Sequence, residues 1–251
     1  MYKTFKISFS LKNTYRVNSI LYSLKQIPLL KKLLPESLYR VKGLKVFGNV
    51  LSVVWEIFSA FSFKYVYLAV MVAGADMLYK TLPQTQLFLH ILVFLSFIGA
   101  FMNTYMFNPG RDKYYAIVLM RIDAKSFTLV DYVYALLKSV IGFLPFIVLL
   151  GLSKGVPLWL CLLAPFFIVG LKATMAAVSL LYYEKTGKTT NENMPGKCKW
   201  LAAGVLLTAA YGLPALNFTL PIAAVAAVMV VFIISGIFSL RKIFSFSAYR
   251  E

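Results

Sequence analysis

The chain has 251 residues, of which 60% are hydrophobic and 14% are charged, and its mean hydropathy is +0.76. This balance argues against a soluble domain, and the continuous apolar runs exclude the alternating pattern of a membrane β-barrel. The net charge of +17 would suggest nucleic acid as the partner of a soluble protein, but the chain has no RNA- or DNA-binding motif. We therefore predict an all-α, polytopic membrane protein that binds no nucleic acid and whose basic side chains meet anionic lipids.

The N-terminal segment, residues 1–50, is strongly basic. It contains ten Lys and Arg residues and a single acid, Glu36. The apolar spacing predicts an amphipathic helical piece at 19–27 and a second helix that starts at Pro35, because proline suits a first helical turn. Apolar residues between Leu38 and Phe47 are interspersed with basic ones, which is typical of a helix lying on the membrane surface. The alternative is an unstructured basic tail.

Residues 51–240 contain six apolar segments suited to membrane helices, followed by a short tail at 241–251. Pro145 predicts a kink in the third segment. Small residues are frequent in the fifth and at the start of the sixth, which fits a closely packed hairpin of these two helices, a subunit interface or ordinary helix packing. The predicted spans are 54–78, 87–107, 130–151, 156–183, 200–213 and 220–240.

The basic residues are distributed unevenly between the spans. Of the 26 Lys and Arg residues, ten lie in the N-terminal segment, four in 108–130, four in 184–199 and three in 241–251. The loops that alternate with these segments contain only Lys80 and Lys154. Because cytoplasmic loops carry the excess of Lys and Arg, we predict that both termini lie in the cytoplasm.

The longest polar interruption between the spans, 108–131, lies on the predicted cytoplasmic side. It opens with an Asn-Pro-Gly turn and then resumes helical spacing. Its apolar residues follow the i, i+3, i+4, i+7 pattern of one helix face: Tyr115, Val118, Leu119 and Ile122. The pattern predicts a short amphipathic helix that a soluble partner could reach. A helix bound to the lipid surface would have the same pattern and is the alternative.

Three lysines lie inside the predicted spans. Lys64, Lys138 and Lys172 are each about 7–12 residues from the predicted cytoplasmic end of their helices, which is roughly 10–18 Å at the rise of an α-helix. Long lysine side chains can extend over part of that distance to the headgroups, which is the simpler interpretation. The functional interpretation is that the three line an inner vestibule and attract an anionic cargo, with Glu56 as their counter-charge.

Catalytic and metal sites have weak support. Residues 151–155 match the G-x-S-x-G pattern, but His90 is the only base available to Ser153, and we expect no acid near it in the outer half. A membrane-embedded serine protease is therefore a minor alternative, and His90 is better explained as a packed polar residue. One His and two separated Cys do not provide the spacing of metal ligands, and there is no Walker A sequence. Any ATP hydrolysis would take place in another chain.

A resemblance to a known family begins in the 108–131 segment. Three stretches carry it: FMNTYMFNPGRDKYYAIVLMRIDAKSFTL, DYVYALLKSVIGFLPF and GVPLWLCLLAPFFIVG. They are similar to the N-terminal membrane half of Firmicutes ABC transporter permeases, of the exporter type grouped with ABC-2. The N-terminal sequence SLKQIPLLKKLLPESLYRVKGLK resembles the basic segment that precedes the membrane part in the same group.

This resemblance implies the permease subunit of an ABC exporter in a bacterial cell membrane. ATP and Mg would be bound by a separate ATPase subunit, so this chain would hold no cofactor, and a second permease copy or a partner permease would join it. In such permeases a cytoplasmic helix between the second and third spans docks into a groove of the ATPase. Carried over to this sequence, the contacting residues are Lys113, Tyr114, Tyr115, Val118, Arg121 and Ile122.

The resemblance leaves the cargo and the completeness of the chain open. The expected cargo is a hydrophobic, peptide or lipid-like molecule. Members of the group are longer and have further spans, so the chain is expected to be a short member, a half that pairs with another permease or the first half of a longer permease. The alternative function is an ATPase-free helical membrane protein that binds anionic lipid or assists a membrane complex.

Overall fold

The computed structural model describes residues 2–26, 42–104, 106, 110–188 and 196–246, and all regular elements in these ranges are helical. The α-helices are α1 (Tyr2–Gln26), α2 (Lys42–Tyr67), α3 (Gln84–Met102), α4 (Arg111–Tyr114), α5 (Ala124–Ser153), α6 (Leu158–Thr186), α7 (Lys197–Ala215) and α8 (Ile222–Ser245). A π turn (Leu68–Val72) and a 3-10 turn (Ala73–Met77) extend α2, and a second π turn (Tyr115–Leu119) extends α4.

Six helices have the length and hydropathy of membrane spans, which confirms the predicted all-α polytopic fold. They are α2 with its extension, α3, α5, α6, α7 and α8. The third span begins at Ala124, earlier than its predicted start at 130, and the helix continues through Pro145 without a break. The fifth span is short, as predicted, with 19 residues.

The chain is divided into two compact units. The first comprises Met1–Ser62 and Pro109–Asp131, and the second comprises Phe63–Asn108 and Tyr132–Glu251. The division falls within α2 and α5, so each of these helices begins in the first unit and ends in the second. The residues predicted to contact an ATPase belong to the first unit, and the three intramembrane lysines belong to the second.

In the first unit, α1 packs against the start of α2. Val17 and Leu21 lie one turn apart on α1 and are buried. A Cβ atom at Gly48 of α2 would lie 2.8 Å from Val17 Cγ1, so glycine allows the two helices to approach closely here. Asn13 Nδ2 also donates a hydrogen bond to Asn49 Oδ1 over 2.9 Å.

The N-terminal segment thus differs from its prediction. α1 is one helix of 25 residues rather than a piece confined to 19–27, and 2–26 is not an unstructured tail. The predicted helix start at Pro35 lies outside the described residues. The apolar periodicity of the sequence did not indicate α1, because few of its apolar side chains are buried. Two that are buried, Val17 and Leu21, pack next to Gly48 of α2, which is distant in sequence.

In the second unit, α3 is the central helix. Most of its side chains are buried, and it contacts α6, α7 and α8. Near its C-terminal half, the rings of Phe97, Phe167 and Phe232 meet edge to face, with centroids 4.9–6.3 Å apart. This geometry is favourable for aromatic rings, and it joins α3, α6 and α8 in the core of the unit.

The most extensive contact between described helices is that of α6 with α8. A Cβ atom at Gly236 would lie 2.4 Å from Gly170 Cα, and one at Gly170 would lie 2.3 Å from Phe232 O. The two backbones therefore meet where neither glycine could carry a side chain, as small residues allow between membrane helices. The closely packed hairpin of the fifth and sixth spans, one of the arrangements that the small residues left open, does not form: α8 packs along α6, and Gly204 of α7 has open space around it.

The end of the first span departs from α-helical geometry. The π turn at Leu68–Val72 widens the helix and changes the partners of its backbone carbonyls. Tyr211 OH donates a hydrogen bond to Met71 O over 2.6 Å, and Tyr79 OH donates one to Tyr211 O over 2.7 Å. These two bonds attach the irregular end of the span to α7.

Candidate functional site

The segment between the second and third spans folds as a short helix followed by a tight reversal. α4 begins at Arg111, and its π extension ends at Leu119. Arg121 has a left-handed backbone with φ of 53°, and Ile122 N–H donates to Ala116 O over 2.9 Å. The predicted helix is therefore wrong at its C-terminal end, because Arg121 and Ile122 lie in the reversal and not on a helix face.

Asp123 caps the third span. Its Oδ2 atom accepts hydrogen bonds from Ser126 N–H over 2.8 Å and from Ser126 Oγ over 2.7 Å. This N-cap arrangement satisfies a backbone donor at the start of α5. α5 therefore starts directly after the reversal, and no flexible linker separates the segment from the third span.

The helical part of the segment presents exposed apolar side chains. Tyr114, Val118, Leu119 and Met120 are 50–56% exposed, whereas Ala116 is fully buried. We call these four exposed residues the segment patch. Apolar groups clustered on a connecting segment are typical of a surface that contacts a protein or a membrane.

α1 contacts the segment at two places. The rings of Tyr15 and Tyr115 lie 5.6 Å apart between centroids, with an angle of 67° between their planes. Lys12, one turn earlier on α1, forms an ion pair with Asp131 of α5. Tyr115 thus lies towards α1 and outside the segment patch, and α1 contacts the segment in its helical part and at its C-terminal end.

A second ion pair joins α1 to α2. Arg16 pairs with Glu56, and its Nη1 atom lies 3.4 Å from Ser52 O, which accepts a hydrogen bond from it. Glu56 was predicted as a counter-charge for membrane lysines, but its described ion-pair partner is Arg16. Lys113, the remaining predicted contact residue, is half-buried.

Two of the predicted intramembrane lysines line one cavity in the second unit. The cavity has a volume of about 370 Å³ and is bounded by α2, α3, α5, α6 and α7. Lys172 Nζ donates a hydrogen bond to Asn103 O over 3.1 Å, at the C-terminal end of α3. Lys64 Nζ lies 5.6 Å from the centroid of the Phe143 ring, within the range of a cation–π interaction.

Lys138 lies at a different position on α5. It is half-buried and is not among the described residues that line the cavity. The structure therefore brings together Lys64 and Lys172, two of the four residues predicted along a cargo path, and leaves Lys138 and Glu56 in other surroundings.

Ser153 and His90 do not form a catalytic pair. Ser153 Oγ donates to Leu150 O over 2.7 Å. His90 is fully buried, and its Nδ1 atom accepts a hydrogen bond from Leu220 N–H over 3.2 Å. The ring proton therefore belongs on Nε2, which donates a hydrogen bond to Ala209 O over 3.1 Å. His90 is a packed polar residue that holds α3 against α7 and the loop before α8.

An acid does lie at the loop of residues 151–155, contrary to the prediction. Asp76, at the end of the first span, forms an ion pair with Lys154. Thr85 Oγ1 donates to Lys154 O over 2.8 Å, and Gly155 has φ of 75°, a conformation that favours glycine. These contacts make the G-x-S-x-G sequence a turn that is fixed to its neighbours.

Three residues of α1 that shape the site were not singled out from the sequence. Lys12, Tyr15 and Arg16 lie at i, i+3 and i+4 and therefore share one helix face. The spacing of these basic and aromatic residues could have indicated a common contact face on α1. The residues that this face contacts are distant in sequence, so the spacing alone did not identify them.

A comparison of the chain with protein-family models, curated proteins and solved structures finds no match. The functional interpretation therefore depends on the segment patch of the first unit, the cavity of the second unit and the distribution of charge along the chain.

Proposed function

We propose that the chain is the permease subunit of an ABC exporter in a bacterial cell membrane. A separate ATPase subunit would bind ATP and Mg, and a second permease copy or a partner permease would complete the membrane part. The cargo would be hydrophobic, peptide or lipid-like. This chain would supply the membrane helices and the surface that receives the movement of the ATPase.

The observation that carries this proposal is the segment patch. An element that transmits movement between subunits needs an exposed contact surface and a firm connection to the part that moves. Tyr114, Val118, Leu119 and Met120 provide the exposed surface. The cap at Asp123 provides the connection, because the third span starts directly after the segment.

α1 would make this connection stiffer. Its Tyr15 contacts Tyr115 in the segment, and its Lys12 pairs with Asp131, about two turns into α5. A push on the segment patch would therefore act on α5 and α1 together instead of bending the segment. In this mechanism α1 positions the segment and does not itself contact the ATPase.

The distribution of basic residues supports a cytoplasmic location for the segment patch. Segment 108–130 contains four Lys and Arg residues, whereas the neighbouring loops 79–86 and 152–155 contain one each. Basic loops are retained in the cytoplasm during membrane insertion. A soluble ATPase could reach the patch only on that side.

The proposal is tested by purifying the tagged full-length chain from the membranes of its own host. Val118→Asp places a carboxylate in the segment patch, and Leu216→Asp places one at an equally apolar, exposed position between the fifth and sixth spans. We expect wild type and Leu216→Asp to co-purify with a subunit that contains a Walker A sequence and to hydrolyse ATP. With Val118→Asp, we expect the recovery of the Walker A subunit and the rate of ATP hydrolysis each to fall by at least about tenfold, which is the effect of removing one central contact residue.

All three proteins should elute as a single species, so that the loss is not one of folding. Two outcomes contradict the proposal. One is a wild-type preparation without a Walker A subunit, and the other is equal recovery of that subunit with Val118→Asp.

A second candidate function is an ATPase-free membrane protein that binds anionic lipid, and the start of α1 favours it. Tyr2, Phe5 and Phe9 are exposed on a helix that also exposes Lys3 and Lys6. Aromatic and basic side chains together are typical of a helix at the lipid interface. For this function, Lys3→Gln/Lys6→Gln should reduce the phosphatidylglycerol that co-purifies with the chain, and no ATPase subunit should be present.

A further inference from the structure

The cavity of the second unit combines charge with an apolar wall. Among the described residues that line it, the charged ones are Lys64 and Lys172. The rest of the wall is mainly apolar and includes Phe63, Met71, Leu95, Phe143, Ile168 and Leu207. Its volume of about 370 Å³ is within the range of small-molecule sites.

The two lysines favour an anionic ligand. An ammonium group has three N–H donors, and the bond from Lys172 Nζ to Asn103 O uses one of them. The Lys64 side chain lines the same cavity, with its Nζ atom over the Phe143 ring. An anion in the cavity would therefore meet two ammonium groups beside an apolar wall, where Coulomb attraction is screened less than in water.

The wall favours a ligand that also carries hydrocarbon. Met71, Leu95 and Leu207 come from three different helical segments and present side chains to the same space. Met71 belongs to the π turn of the first span, and such irregular turns occur frequently at functional sites. A small hydrated anion would leave this part of the cavity unfilled, whereas an acyl chain would fill it.

We propose that this cavity binds an anionic amphiphile, with its phosphate or carboxylate on Lys64 and Lys172 and its hydrocarbon chain along Met71, Leu95 and Leu207. The role of this amphiphile as cargo rests on the proposed exporter function. Its binding does not, because the cavity is formed within one unit of this chain.

The test uses purified full-length protein in detergent and three probes with a photoreactive acyl chain: phosphatidylglycerol, phosphatidylcholine and palmitate. Labelled peptides are identified by mass spectrometry. We expect phosphatidylglycerol or palmitate to label the segments that contain Met71, Leu95 or Leu207, and phosphatidylcholine to label them at least about tenfold less, since it carries no net charge. Preference between the first two probes identifies a lipid phosphate or a free carboxylate as the source of the anion.

Variants separate the two lysines from general charge effects. Lys64→Gln/Lys172→Gln should reduce labelling by at least about tenfold, the effect of losing one or more charge-assisted hydrogen bonds. Lys64→Arg/Lys172→Arg should retain labelling. Lys185→Gln/Lys197→Gln, which removes the same charge from exposed positions, should have no effect. Variants are compared only at equal monodispersity, and the arginine variant keeps the test valid if the glutamine variant fails to fold.

Equal labelling by phosphatidylcholine and phosphatidylglycerol would overturn the proposal, as would full labelling of the glutamine variant or labels confined to other helices. The assay contains no ATPase. Its failure would therefore refute the proposal of an anionic ligand in the cavity but would not bear on the proposed ATPase contact at Val118. Conversely, a missing ATPase contact would refute the exporter function but would not bear on the ligand of the cavity.

Discussion

The two units of the chain are stabilised in different ways. In the first, the pair of Arg16 and Glu56 joins α1 to α2 with side chains that are 31% and 18% exposed. In the second, α6 and α8 meet backbone to backbone, because a Cβ atom at Gly236 would lie 2.4 Å from Gly170 Cα. The first contact adds an ion pair to the packing of Val17 and Leu21 beside Gly48, whereas the second has a backbone where an ion pair or a side chain would otherwise lie.

This difference indicates which part of the chain can be weakened separately. Partly exposed ion pairs contribute little free energy, and salt screens them. A contact between two backbones responds instead to any added atom, since close-packed interiors do not accommodate extra volume. We therefore expect steric changes in the second unit to lower the stability of the fold, and charge changes in the first unit to loosen α1 while the helix bundle stays folded.

The largest effect is expected from Gly236→Leu. The new side chain would overlap the backbone of Gly170, and we expect a loss of about 3 kcal/mol or more in the free energy of unfolding. For a chain of this size that corresponds to a fall in Tm of roughly 6–12 °C. The measurement is the midpoint of thermal unfolding in detergent.

Gly204→Leu is the matched control for this variant. A Cβ atom at Gly204 meets nothing within 4 Å, so its Tm should stay close to that of wild type. If both variants lose the same stability, the contact of α6 with α8 is not what stabilises the second unit.

A smaller effect is expected from His90→Leu. The change keeps the apolar volume but leaves Leu220 N–H and Ala209 O without their buried partner, which should cost about 2 kcal/mol. His90→Gln, which still offers an acceptor and donors, should recover part of the loss. A Tm for His90→Leu equal to that of wild type would show that the two hydrogen bonds contribute nothing.

The smallest effect is expected from Glu56→Gln. Because the pair is partly exposed, the loss should be about 1 kcal/mol or less. In limited proteolysis, the Glu56→Gln variant should be cleaved faster within α1 than the wild type, while the remaining helices stay protected. The exchanged pair Arg16→Glu/Glu56→Arg should restore protection, and failure of the exchange to do so would mean that the charges do not interact.

The sequence was sufficient to predict the six spans, because continuous apolar runs are a local property of the chain. It also indicated the exposed segment through Tyr115 and Val118. It was not sufficient to predict the end of the segment helix, because the reversal depends on the left-handed backbone of Arg121 and on the cap by Asp123.

Long-range pairs were the other part that the sequence did not predict. Gly170 and Gly236 resemble many other glycines of membrane helices until their helices are placed side by side. Lys64 and Lys172 were both identified as unusual, but only the fold shows that they share one cavity and that Lys138 does not.

The central claim is that the segment patch docks onto an ATPase subunit. The most direct test places a photoreactive amino acid at Val118 of the full-length chain in its own host, with Leu216 as the control position. The account predicts that Val118, and not Leu216, becomes crosslinked to a protein with a Walker A sequence. Crosslinks from Val118 to lipid alone, with no ATPase attached, would contradict it.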